Sequence, residues 1–175
     1  MSKIKFFPLI VSVLFFLCYV SCKKEDDKDK TDNILLIQKN KERGETYLKE
    51  KSKEDGVKTD PSGLLYRVLE PTDGKKPGQK DTVAFHYEGF ILTGKSFIEK
   101  DARSAMEDLN SAFYIGLRHM NEGSTYRLYV PYYLMYGATQ QIFIKRTESD
   151  VDTIKVLEYS ALYYDMKLDS ITFVE

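Results

Sequence analysis

The chain predicts an α+β domain with an antiparallel β-sheet and one central helix, preceded by an N-terminal helical arm. Three observations predict it. Short β-rich runs separated by turn residues recur from residue 64 to residue 168, a single stretch of helical spacing interrupts them at 104–120, and a polar helix-forming stretch precedes them at 33–55. Many strands around one central helix point to an antiparallel sheet rather than to alternating parallel units.

The first element is a processing segment. Lys3 and Lys5 precede an almost unbroken apolar run from Phe6 to Val20, shorter than the roughly 20 residues that span a bilayer. A charged start, a short apolar stretch and a small residue before Cys22 read as a signal peptide over residues 1–21. Ser21-Cys22 resembles the end of a bacterial lipobox, although Tyr19 stands where an aliphatic residue is usual. That resemblance implies cleavage before Cys22 and lipidation of its thiol; an ordinary secretory peptide cut nearby, or an uncleaved anchor, are the alternatives. Several acyl chains on one cysteine hold a protein at a membrane, whereas one is marginal.

Cys18 lies inside the apolar run, so cleavage leaves Cys22 as the one thiol and excludes both a disulfide framework and a cysteine-based metal site. His86 and His119 are the only histidines, too few for a zinc cluster, and no cofactor or metal is expected. Loss of Lys3 and Lys5 leaves 24 basic against 27 acidic residues, without the basic face that nucleic-acid binding requires. About 150 residues remain, the size of one domain, and 13 tyrosines with 10 phenylalanines supply a core.

Residues 22–32 follow as a charged tether, since the run from Lys23 to Asn33 contains no apolar residue and cannot bury surface. Lys-Lys followed by acids after the cysteine also resembles a surface-export signal of some lipoproteins, a solvated spacer being the plainer reading. Residues 33–56 read as a helix. Asn33 can cap it, Ile34, Leu35 and Ile37 open an apolar patch, Tyr47 and Leu48 continue it, and Gly56 ends it. Residues 57–175 then form the main domain. Leu64–Leu69 is a strand, Pro71–Gly78 a turn region, and Thr82–Leu92 an alternating strand before Thr93-Gly94. Met106, Leu109, Ala112, Phe113, Leu117 and Met120 share one helical side before Gly123. Tyr126–Val130 is a strand ended by Pro131, and further strands are expected at 142–146, 153–158 and 161–168.

Four segments carry a resemblance: V-A-F-H-Y-E-G (83–89), G-L-R-H-M-N-E-G (116–123), Y-R-L-Y-V-P with L-M-Y-G-A (126–138), and Y-S-A-L-Y-Y-D-M-K-L (159–168). In this order and spacing they resemble FKBP-type peptidyl-prolyl cis-trans isomerases, over residues 57 to 171. The stretch from Asn40 to Glu70 is similar to the join between arm and domain in bacterial lipoproteins like the macrophage infectivity potentiator. The resemblance implies a twisted antiparallel sheet around a short helix, proline-containing polypeptide clients, a lipid anchor in the bacterial outer membrane, on its periplasmic or outer side, and help in folding envelope proteins. In that subfamily the arm often dimerises the protein, so a homodimer is a further expectation, although this arm is short.

The family's chemistry needs no covalent nucleophile. An X–Pro amide rotates slowly because it loses resonance, with a barrier of roughly 18–20 kcal/mol. An apolar pocket with a few fixed donors lowers that barrier, since the twisted amide has less charge separation than the planar one. By resemblance, Tyr87 and Phe97 are pocket walls and Tyr136 is the tyrosine whose hydroxyl binds a ligand carbonyl; these are the catalytic expectations. Phe113 stands where most members have the tryptophan of the pocket floor, Tyr164 where they have a closing-strand phenylalanine, and Leu109 in an aliphatic pair before the helix; these are the substrate-binding expectations. Core packing is the competing reading of each aromatic residue.

The chain departs from the family around this pocket. Ile98 replaces the aspartate that commonly follows the wall phenylalanine, removing a carboxylate that orients other pocket groups. Leu109-Asn110 replaces a Val-Ile pair, the span from Phe97 to Phe113 is short enough that a wall strand is expected to be missing, and Gln140–Lys155 replaces a short flap with an extra hairpin turning at Thr147–Asp150. Two readings remain: a lipid-anchored prolyl isomerase, and a non-catalytic binding or chaperone module built on the same fold.

Overall fold

The computed structural model describes residues 32–146 and 151–174. The signal peptide, Cys22, nearly all of the tether and the turn at 147–150 lie outside the described residues. By its contacts the chain divides into Met1–Lys39 and Asn40–Glu175. Residues 32–51 are helical (α1). Of the first unit, the described residues 32–39 expose Ile34, Leu35 and Leu36 to solvent.

The second unit opens with helical residues 40–51. Their contacts with the domain include the Asn40 amide donating to the Ser160 hydroxyl at 2.9 Å, Gly44 packing on Ala161, and Tyr47 meeting Tyr129 edge-on at 6.1 Å. Turns follow, and Gly56 takes a left-handed φ of 77°, which glycine reaches without a Cβ penalty.

The strands are β1 (Val57–Thr59), β2 (Leu65–Glu70), β3 (Thr82–Ile91), β4 (Ser96–Ala105), β5 (Thr125–Val130), β6 (Gln141–Arg146), β7 (Val151–Val156) and β8 (Leu162–Thr172), with helix α2 (Ser111–His119) between β4 and β5. Six form one sheet in the order β1-β2-β5-β8-β3-β4, every pair antiparallel. β6 and β7 form a separate hairpin. The α+β expectation is therefore met, and so is the extra hairpin.

The helical spacing read over 104–120 becomes helix only from Ser111 to His119. Residues up to Ala105 belong to β4, which pairs with β3 along its whole length, and Met106–Asp108 make one 3-10 turn. The short span after Phe97 is filled by β4, which runs straight into that turn. The start of α2 is set by Asn110, whose side-chain oxygen accepts the Phe113 N–H at 3.0 Å; such a cap satisfies a donor the helix cannot. Asn110 is thus an exposed cap, and not an amide placed in the pocket.

Helix α2 buries Ala112, Phe113, Gly116 and Leu117 against the sheet. Gly116 lets the two layers approach, since a Cβ there would collide with Leu128 of β5. Val83, Phe85, Leu128, Val130, Met166 and Leu168 supply the facing side chains. The hairpin adds Ile154 and Val156, both nearly inaccessible, to the same core.

Candidate active site

At one end of this core the sheet carries a row of four residues. Ile98 of β4 pairs with Gly89 of β3, Gly89 with Tyr164 of β8, and Tyr164 with Leu128 of β5. Gly89 is needed because its neighbours lean over it: a Cβ there would lie 2.6 Å from Tyr164 Cε1 and 2.9 Å from both Ile98 Cγ2 and Phe97 Cζ. Phe97 reaches the same side through a β-bulge. Gly89 pairs with Ile98 and Phe90 with Ser96, which leaves Phe97 unpaired between them. A bulge re-aims a side chain that strict alternation would send to the other face, so Phe97 and Ile98 both pack toward the core.

Tyr164 is the centre of the aromatic group. Its ring meets Phe113 edge-on at 5.2 Å, Phe97 at 5.9 Å and Tyr87 at 6.2 Å. Tyr87 and Phe113 meet at 4.8 Å. Edge-to-face pairs of this kind each contribute about 0.5–1.5 kcal/mol beyond their burial. Phe97, Phe113 and Tyr164 are buried, whereas Tyr87 and Tyr136 are half-buried and present part of their surface to solvent.

Tyr136 sits in the turn after a 3-10 segment at Tyr132–Leu134. Its backbone is held on both sides, Gly137 N–H donating to Tyr132 O at 2.9 Å and Thr139 N–H to Tyr136 O at 3.0 Å. The ring joins the cluster through a residue not foreseen in the site, Phe143 of β6, which packs on Phe97 at 4.7 Å and on Tyr136 at 6.1 Å. The run I-F-I-K-R marked a strand but not which of its apolar residues faces the core. Ile142 and Ile144 point outward and Phe143 inward, so the hairpin supplies an aromatic wall. Leu109 is half-buried against the core beside α2.

Three phenols converge here, and none ionises near neutral pH. Burial, then the phenols of Tyr136 and Tyr87, hold Tyr164 far above the ordinary tyrosine range. Burial also raises Tyr136, partly offset by the Tyr164 hydroxyl directed at it, and raises Tyr87, with Tyr136 adding to the effect. Among the described residues no group of three His, Cys, Asp or Glu could hold a metal ion. Ile98, half-buried, brings no charge to the site. The arrangement is an apolar aromatic surface with neutral hydroxyl donors, suited to holding an uncharged carbonyl group away from water.

Comparison with known proteins gives this arrangement its context. The model of the family described as FKBP-type peptidyl-prolyl cis-trans isomerase matches residues 73–169, and that of the domain amino terminal to FKBP-type peptidyl-prolyl isomerase matches residues 20–68. The chain is 33% identical over 126 residues to the probable FKBP-type peptidyl-prolyl cis-trans isomerase FkpA of Neisseria meningitidis serogroup B, covering 67% of this chain and 46% of that protein. It is 32% identical over 105 residues to the outer membrane protein MIP of Legionella longbeachae, covering 57% of this chain and 45% of that one. The chain thus spans about half the length of the curated relatives it matches. The crystal structure of FkpA from Escherichia coli shares the fold with a TM-score of 0.65 at 24% identity, over 97% of this chain and 74% of that one.

Proposed function

Because the chain belongs to the FKBP-type peptidyl-prolyl cis-trans isomerase family, we propose that it accelerates cis/trans exchange of X–Pro bonds in polypeptide clients at the aromatic site. The observation that carries the reading is the convergence of Tyr87, Phe97, Phe113, Tyr136 and Tyr164 on one end of the core, with two of the five rings half-exposed.

The mechanism follows from the amide. Planar X–Pro has charge separated between oxygen and nitrogen, and water stabilises that separation. Enclosure between Phe97, Phe113 and Tyr87 removes the water and favours the twisted form, whose carbonyl and nitrogen are less polarised. Tyr136 O–H, neutral because burial raises it, donates to a carbonyl of the bound segment and holds it in place. No proton is transferred and no bond is broken, so neutral donors suffice. Unassisted exchange takes tens to hundreds of seconds and limits folding of proline-containing chains. The test is refolding of a protein whose slow phase is an X–Pro isomerisation. The slow rate should rise in proportion to added catalyst, and an unchanged rate across several residues before proline would refute the reading.

The anchor belongs to the same proposal. A signal peptide ending at Ser21, lipid on Cys22 and the charged tether would place the site at the bacterial envelope. Support comes from the sequence and from the relative named an outer membrane protein. Radiolabelled fatty acid should enter the full chain and not its Cys22→Ser variant; equal labelling of both would remove the anchor.

A second reading, a non-catalytic binding module, is favoured by two observations. Ile98 carries no carboxylate, and Phe143 of the added hairpin covers Phe97. Saturable binding of X–Pro peptides without rate acceleration would select it.

A further inference from the structure

Tyr164 is the most buried residue of the site, with 1% of its surface exposed, and its hydroxyl, though directed at Tyr136, is the one buried side-chain polar atom among the described residues that completes no well-formed hydrogen bond. Burying a phenol costs free energy that only its neighbours can offset. A phenylalanine would avoid that cost with the same ring. A buried donor of this kind calls for an explanation, and a role in the reaction is one.

The surroundings say which partner. Tyr164 stands in the same sheet row as Ile98, with only Gly89 between them. The row therefore lacks a carboxylate on one side of the glycine and carries an extra hydroxyl on the other. Below the ring are Phe113 and Phe97, which offer no acceptor. The polar neighbours are the phenols of Tyr136 and Tyr87, with Tyr136 acting on it more strongly. Tyr136 lies in a turn rather than a strand.

We propose that Tyr164 is a positioning residue for the isomerase reaction: with an X–Pro segment bound, its buried O–H donates to Tyr136 Oη, so that the Tyr136 proton is aimed at the substrate carbonyl. A phenol has one proton to give and can accept another. Filling the acceptor side of Tyr136 leaves its own O–H free for the substrate, and hydrogen bonds in such a chain polarise one another. The inference rests on the isomerase reading above.

The test is Tyr164→Phe in the full chain, alone and combined with Tyr136→Phe, measured by exchange on an X–Pro peptide and by thermal melting. Tyr164→Phe should melt at or above the wild-type temperature while losing about three- to tenfold in kcat/KM, roughly the value of one hydrogen bond, mainly in kcat. The double variant should be no slower than Tyr136→Phe alone. Wild-type turnover by Tyr164→Phe, or losses that multiply in the double variant, would overturn the proposal and leave the isomerase intact. A wild-type chain that fails to accelerate exchange would overturn the isomerase reading, and this proposal with it.

Discussion

Replacing Gly89 by alanine adds one methyl group at the point where three site residues meet. The φ of Gly89 is not among the positive ones, so alanine meets no backbone penalty and the cost is steric. Its Cβ would lie 2.6 Å from Tyr164 Cε1 and 2.9 Å from Phe97 Cζ and Ile98 Cγ2, about an ångström inside ordinary carbon–carbon contact. Tyr164 cannot retreat, because Phe113 and Phe97 hold it edge-on from two sides. Phe97 is wedged in its bulge under Phe143. Over-packing of a filled core costs typically about 1–3 kcal/mol, and at about 2–4 °C per kcal/mol for a chain of this size the melting temperature should fall by about 2–12 °C. Strain relieved by moving Phe97 would also reshape the wall, so kcat/KM should fall by at least as large a factor as in Tyr136→Phe. Thermal melting followed by circular dichroism, with exchange measured well below the transition, separates the two effects. A variant with wild-type melting and turnover would refute the packing argument, and with it the claim that Phe97, Ile98 and Tyr164 form one rigid wall.

Tyr136→Phe should lower turnover modestly, since one donor is lost and the apolar surface stays, whereas Phe97→Ala should lower it more; equal rates for both and for wild type, measured by peptide exchange, would remove them from the site. Phe143→Ala deletes a wall ring that stacks on Phe97 at 4.7 Å, worth about 0.5–1.5 kcal/mol as a ring pair, and should raise KM several-fold with little change in the fold; an unchanged KM would show that the hairpin plays no part in binding. Acid should weaken the domain at Asp60. Burial alone would raise this carboxyl, but the Ser62 hydroxyl and N–H and His119, 2.8 Å away, outweigh it and leave it lowered. A lowered folded value stabilises above the ordinary aspartate range near 3.9 and loses that contribution as pH falls through the folded value. Asp60→Asn should therefore flatten the loss of melting temperature below about pH 4, and a variant with the wild-type acid limb would contradict the assignment.

The core strands were legible because one face is buried and the other wet, which gives alternation in β3 and apolar runs in β5 and β8. The edge strand β4 was not. Its residues Glu99, Lys100, Asp101 and Arg103 are charged as edges usually are, and Met106 with Leu109 fall at helical spacing with the true helix. Asn110 held the boundary signal, a cap residue three before Phe113, yet in a comparison with relatives it looked like a pocket change. Tyr87, Phe113 and Tyr164 were expected from the resemblance alone, and they sit at regular strand and helix positions. The aim of Phe97 depends on a bulge, and the inward turn of Phe143 depends on where the hairpin folds back, both of which are tertiary. The incompletely bonded hydroxyl of Tyr164 could be seen only when its neighbours were in place.

The central claim is that the aromatic site speeds rotation about X–Pro bonds, and NMR exchange on a short X–Pro peptide tests it most directly, with the full chain in detergent beside its Tyr87→Ala variant. The account predicts cis/trans exchange accelerated in proportion to wild-type protein and largely lost in the folded variant. Exchange at the spontaneous rate in the presence of folded wild-type chain, or equal acceleration by both proteins, would contradict it.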